Sequence, residues 1–100
     1  MTVLTKDNFK FEVEEYNGLV VIDLYADWCG PCRMLAPVIH ELENEYTDVK
    51  FCKVNVDEEG ELAGFFEVMS IPSLFVVKNG EITERSVGAL PEARILAMIK

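Results

Sequence analysis

The sequence predicts an α/β fold, a five-stranded mixed sheet flanked by four helices. Three observations point to it. Apolar, β-branched runs of strand length recur at residues 19–25, 51–56 and 73–78, the pattern of strands buried on both faces. Helical periodicities separate them, most clearly Leu35, Val38, Ile39, Leu42 and Tyr46, which fall on one stripe of a helix. Asn79-Gly80 follows the last run and is the strongest hairpin signal in the chain.

The elements follow in order. Residues 2–5 read as a short first strand. Asp7 is suited to cap a helix over residues 8–15, with Phe9, Phe11 and Val13 turned partly inward. Asn17-Gly18 breaks that helix. The strand at 19–25 leads into a loop with two cysteines and then a long helix to about Tyr46. Pro37 lies inside this helix, removes one hydrogen bond and is expected to kink it. The strand at 51–56 is followed by Asp57-Glu58-Glu59-Gly60, which starts a short helix through about Phe66. The strand at 73–78 pairs through Asn79-Gly80 with residues 81–87, Gly88 ends the hairpin, and Pro91 opens a last helix to Lys100. Strands alternating with helices imply a parallel core, and the terminal hairpin adds an antiparallel edge. No linker, repeat or low-complexity segment interrupts the chain.

Composition narrows the function. A chain of 100 residues, half of them hydrophobic, suits a single domain over residues 1–100 that buries roughly 65% of its unfolded surface. A formal net charge of −9 makes nucleic acid and anionic membrane surfaces poor partners. No run of about 20 apolar residues is present to span a bilayer. The first residues, Met1 to Asp7, lack an apolar signal core, so a cytoplasmic location is expected. Three cysteines, a small and odd number, do not make a disulfide framework.

The chemistry concentrates in Trp28-Cys29-Gly30-Pro31-Cys32. Two cysteines three apart at the start of a helix face one side and lie within disulfide reach. Pro31 suits the first helical turn, where its missing N–H costs nothing. The helix N-terminus offers unpaired N–H groups and partial positive charge, which favour a thiolate. The pattern therefore points to thiol–disulfide exchange. A structural bridge and half of a zinc site are the alternatives. A bridge across so small a loop would constrain the unfolded chain little. A zinc site would have to draw on Cys29, Cys32, Cys52 and His40. His40 lies about 12 Å along the helix from Cys32 at 1.5 Å per residue, too far for ligands that each sit about 2 Å from one metal ion. No metal is expected.

With these residues in place, the chain resembles the thioredoxins along nearly its whole length. The resemblance rests on Asp23 in the buried strand, Trp28 to Cys32, Pro37 in the helix, Lys53 in the third strand, Ile71-Pro72 before the fourth, Asn79-Gly80 and Val87-Gly88-Ala89. A lone CxxC is a weak signal, whereas WCGPC after a buried strand with the later Ile-Pro and Asn-Gly is specific. Tyr25 departs from the family, since bacterial thioredoxins usually carry a second tryptophan there. The resemblance implies a thioredoxin fold and a protein-disulfide reductase. Cys29, at the reachable lip of the helix, would attack a client disulfide, and Cys32, one turn inward, would resolve the mixed disulfide. Asp23 is the only charge in an apolar strand. Burial would raise its pKa, and the resemblance gives it proton exchange with Cys32 through a water. Lys53 is its electrostatic neighbour if the second and third strands are adjacent. Gly30 and Pro31 would set the redox poise. The resemblance also implies a cis Ile71–Pro72 bond that leaves the Ile71 backbone free to pair with an extended client segment. Trp28, Gly30, Pro31, Ile71, Pro72, Gly88 and Ala89 would form the apolar patch around Cys29. Cys52, between Phe51 and Lys53, is expected to act as a small buried hydrophobe.

No cofactor is implied, because the chain has no G-x-G-x-x-G and none of its six glycines fits a phosphate loop. A separate thioredoxin reductase, NADPH- or ferredoxin-linked, would reload the dithiol. Client proteins with disulfides are the other partners, and a monomer is expected. Two rivals remain at this point. An oxidase or isomerase would show a higher dithiol potential. A binding scaffold would keep its function in a double Cys→Ser variant.

Overall fold

The structure, a computed structural model, describes residues 1–100. Its elements are β1 (Thr2–Val3), a π-helical turn (Lys10–Glu14), β2 (Leu19–Tyr25), α1 (Gly30–Glu45), β3 (Lys50–Asn55), α2 (Gly60–Phe65), β4 (Ser73–Lys78), β5 (Glu81–Val87) and α3 (Glu92–Ile99). The strands form one five-stranded sheet in the order β1-β3-β2-β4-β5. β1, β3 and β2 are parallel, β4 is antiparallel to β2, and β5 is antiparallel to β4.

The mixed sheet is the expected one, but antiparallel pairing begins already at β4 rather than only within the hairpin. The connection of residues 56–72, with α2 at its middle, leaves the chain at the edge where β2 and β3 end. β4 sets out from that edge, with Ser73 opposite Leu24.

The strand period of two divides the core into two layers. Val20, Ile22 and Leu24 join Phe9, Val13, Leu62 and Phe66 on one face of the sheet. Val21 joins Leu35, Ile39 and Leu42 of α1 and Ile95 of α3 on the other. Burying a Leu or Ile side chain of this kind contributes about 2 kcal/mol of transfer free energy, so β2 is held from both sides. Asp23 and Tyr25 share the parity of Val21 and fall on the α1 face. On β3, Phe51 lies in the α1 layer and Cys52 in the opposite one, which puts Lys53 on the same face as Asp23.

The N-terminal helix differs from expectation. It is a five-residue π-helical turn, and Asp7 does not cap it. Its N-cap is Phe9, without a side-chain bond; Thr5 and Asn8 close the turn ahead of it reciprocally: the Thr5 N–H donates to Asn8 Oδ1 at 2.8 Å, and the Asn8 N–H to Thr5 Oγ1 at 3.3 Å. That bonding sets the phase of the turn, which buries Phe9 and Val13 but leaves Phe11 exposed. The short helix α2 also starts later than expected, at Gly60, because Asn55 Oδ1 accepts the N–H groups of Asp57 and Glu58 and holds them in a turn. The hairpin forms as expected. Asn79 and Gly80 have φ of 51° and 85°, the pair of positive values that a type I′ turn requires. Asn79 also ties the hairpin to Gly18, accepting its N–H at 2.9 Å and donating its own N–H to the Gly18 carbonyl at 3.0 Å.

Candidate active site

β2, β3 and the start of β4 meet at one edge of the sheet, and the cysteine pair sits there. Cys29 is the N-cap of α1, with an extended backbone at φ −85° and ψ 112°. Its Sγ accepts the Cys32 N–H at 3.2 Å, one of the donors that a helix start leaves without an intrahelical partner. Pro31 occupies the first turn of the helix, as its chemistry favours. Cys29 and Cys32 are joined as a disulfide with their Cα atoms 5.2 Å apart.

Two loops close over the pair. The Ile71–Pro72 bond is cis, and the Ile71 carbonyl oxygen lies 3.9 Å from Cys29 Sγ. In the disulfide that sulfur carries no proton, so this is a contact rather than a hydrogen bond. The Gly88 N–H donates to the Pro72 carbonyl at 2.8 Å, which fixes the end of β5 against the proline loop. Gly88 has φ of 98°, a conformation that favours glycine. Trp28 is 68% exposed and its ring N–H donates to Asp57 Oδ2 at 2.8 Å.

Cys29 is not at an exposed lip. It is 4% exposed, as is Cys32. The expectation treated the helix start as open, but the disulfide packs with Ala26 beneath Tyr25, Val56 and Ile71. The exposure belongs to its neighbours Trp28, Gly30 and Pro31. Pro72 is buried as well and shapes the loop rather than the surface. Ile71 and Gly88 are half-buried and Ala89 is exposed. Three exposed apolar residues were not foreseen beside this face: Met34 on α1, Met69 in the proline loop and Val87 at the end of β5.

Behind the disulfide, Asp23, Cys32, Lys53, Tyr25, Arg33 and His40 line one cleft. Asp23 and Lys53 are register partners on adjacent parallel strands, which realises the expected neighbourhood. Burial pushes the Asp23 carboxyl up from 3.8 to about 6, with Lys53 opposing. Asp23 Oδ1 is buried with no hydrogen-bond partner in the protein. The Lys53 ammonium lies 5.6 Å from the Tyr25 ring centroid, within cation–π range. Cys52 is fully buried, and burial pushes its thiol up to about 11.

Sequence reasoning missed three of these features. Asp57 as the partner of Trp28 depends on the β3–α2 loop folding back, which no local pattern encodes. The same is true of Met69 beside Val87 in a hollow along the proline loop and of His40 in the Asp23 cleft. The tyrosine at position 25 was visible, but not its place over Lys53.

The thioredoxin family model matches residues 1–100. The chain is 43% identical over 100 residues to the thioredoxin of Bacillus subtilis, an alignment covering 99% of this chain and 96% of that protein. It is 46% identical over 86 residues to the thioredoxin of Listeria monocytogenes, covering 85% and 84%. With thioredoxin 1 of Synechococcus elongatus it shares 43% over 93 residues, covering 92% and 87%. A match over every residue, and relatives this similar, show that the chain belongs to the thioredoxin family of protein-disulfide reductases, which work through a reversible dithiol, here Cys29–Cys32.

Proposed function

We propose that Cys29 is the attacking sulfur, Cys32 the resolving one and Asp23 the group that handles the proton. The observation that carries this division is the asymmetry of the pair. Cys29 Sγ accepts a backbone N–H at the helix N-terminus and faces the proline loop, whereas Cys32 borders the Asp23 cleft. The amide and the helix dipole stabilise negative charge on Cys29.

In the reduced protein no bond ties the two sulfurs, and the Cys29 thiolate attacks one sulfur of a client disulfide. The Cys29–client bond forms, the client S–S bond breaks, and the second client sulfur leaves as a thiolate that takes a proton. Cys32 then loses its proton to Asp23 and attacks Cys29 sulfur. The Cys29–Cys32 bond forms, the mixed disulfide breaks, and the client leaves with two electrons and two protons gained. An acid at about 6 is matched to taking and returning a proton near neutral pH.

Lys53 steadies the ionised form of Asp23, and Gly30 and Pro31 fix the intercysteine turn without adding charge. Trp28, Ile71, Gly88 and Ala89, with Pro72 shaping the loop that carries Ile71, receive the client segment, whose backbone pairs with Ile71. The clients are proteins with accessible disulfides. The electron donor is a thioredoxin reductase, NADPH- or ferredoxin-linked. The protein works as a monomer and a single domain over residues 1–100, in the cytoplasm; no helix is long and apolar enough to cross a membrane.

Insulin reduction tests the reading. Catalytic amounts of the chain with dithiothreitol are expected to precipitate the insulin B chain well ahead of dithiothreitol alone. No acceleration would overturn the reductase assignment.

A further inference from the structure

The loops that surround the disulfide carry acids and no bases. Residues 26–32, 55–61, 66–72 and 87–92 contain no Lys or Arg. They contribute seven acids: Glu59 and Glu92 are half-buried, Glu61 is exposed on α2, and Asp27, Asp57, Glu58 and Glu67, all exposed, stand nearest the disulfide. Each of these four is tied to the site. Asp27 borders the same cleft as Cys32. Asp57 holds the Trp28 ring N–H, and Glu58 follows it. Glu67 lines a hollow with Met69, Ser70 and Val87, next to the Ile71 carbonyl that touches Cys29. None of the four takes part in an ion pair; the three in the molecule lie at Glu43, Glu15 and Glu12. Of the nearby cations, Arg33 is exposed on α1 and lines the Cys32 cleft beside Asp27, one positive charge against the four acids; Lys53 is drawn against Tyr25 inside the cleft, and Arg85 is held over the Phe75 ring, donating to the Phe66 carbonyl.

The face is therefore an apolar centre of Trp28, Met69, Ile71 and Val87 within an acidic rim. We propose that it selects disulfides set among basic side chains, a client segment with Lys or Arg on either side of its cysteine. This rests on the reductase reading above, and names the class of client. Apolar contact and backbone pairing give such a segment its register at any charge. The rim acts before contact, raising the encounter rate of cationic segments and lowering that of anionic ones. A client with acidic flanks brings like charges together without a compensating cation on these loops.

The test uses the full chain, reduced beforehand, and three cyclic disulfide peptides that differ only in the residues beside the cysteines: Lys, Ser or Glu. Second-order rates of peptide reduction are measured by acid quench and chromatography. At low salt the Lys peptide is expected to react about tenfold faster than the Glu peptide, with the Ser peptide between. The ratio is expected to fall toward one as the Debye length drops from about 30 Å at 0.01 M to about 3 Å at 1 M salt. Equal rates for the Lys and Glu peptides, or a ratio indifferent to salt, would overturn the selectivity while leaving reduction intact. Failure to reduce even the Ser peptide would overturn the reductase reading and the proposal with it.

The net charge of −9 could favour cations from any side, so a pair of matched variants locates the effect. Glu58→Lys with Glu67→Lys alters the rim. Glu45→Lys with Glu81→Lys changes net charge equally, at the far ends of α1 and β5, about 20 Å away by helix and strand rise. The rim pair is expected to bring the Lys-to-Glu ratio close to one and the remote pair to leave most of it. Equal effects of the two pairs would overturn the assignment to this face.

Discussion

Asp23 stands where its charge costs the fold stability. Its carboxyl titrates near 6 in the folded chain against an ordinary 3.8, because burial opposes ionisation more than Lys53 favours it. As pH rises through this window the unfolded chain releases the proton while the folded chain keeps it, so stability falls between pH about 4 and about 6 and levels off above. Two units correspond to about 3 kcal/mol, good to an order of magnitude. Asp23→Asn is expected to stabilise the protein at neutral pH by up to that amount, to flatten the pH dependence of urea unfolding below neutrality, and to slow turnover on the order of 10²-fold. Unchanged unfolding curves would mean that the carboxyl is solvated. Cys52 makes a second case at this scale. A fully buried thiol pushed to about 11 presents little thiolate. Alkylation of the native, reduced protein is expected to modify Cys29 and not Cys52, with Cys52 reacting only on unfolding. Asp23 could be singled out from sequence, since a lone charge in an apolar strand declares itself. The burial of Cys29 could not, because it depends on Tyr25, Val56 and Ile71 converging from three separate segments.

Among the elements, two chain reversals are tuned in opposite senses. At the β4–β5 hairpin, sequence and conformation agree: Asn79-Gly80 supplies two positive φ angles, and a Cβ on Gly80 would lie 2.8 Å from the Glu14 carbonyl oxygen. Gly80→Ala is therefore expected to destabilise by about 2 kcal/mol or more, through left-handed strain together with the clash, read as a lower midpoint in denaturant. At the end of α2 they disagree. The Val68 N–H reaches the Ala63 carbonyl and the Glu67 N–H that of Gly64, the bonding of a helix cap that usually has glycine in the left-handed position. Glu67 fills it with φ of 54°. Glu67→Gly is expected to raise stability by about 1 kcal/mol; a loss would mean that the Glu67 side chain supports the loop in a way its contacts do not show. The hairpin was legible because its signal is two adjacent residues. The N-terminal turn was less legible, because the side-chain bonds that lead into it come from the Thr5–Asn8 pair and not from Asp7, a good cap by type.

At the scale of the whole molecule, the sheet order places function. Parallel β3 and β2 end where β4 begins, so the cysteine loop, the Asp57 loop and the proline loop share one edge, while the two core layers lie on the faces. Strand and helix periodicity made this plan readable from the sequence. The antiparallel entry of β4 was not, since no local pattern states at which edge of the sheet the connection of residues 56–72 leaves the chain. Nor was the gathering of Met69, Val87 and the acidic side chains around the disulfide, which exists only once four loops are assembled. What the assembly is for reduces to one asymmetry, Cys29 toward the proline loop and Cys32 toward Asp23. Its most direct measurement is trapping. Reduced Cys32→Ser and Cys29→Ser proteins are each mixed with a disulfide-containing client and examined by non-reducing electrophoresis and mass spectrometry. The expected result is a stable mixed disulfide through Cys29 in the Cys32→Ser protein and none through Cys32 in the other. Capture through Cys32 alone would contradict the account.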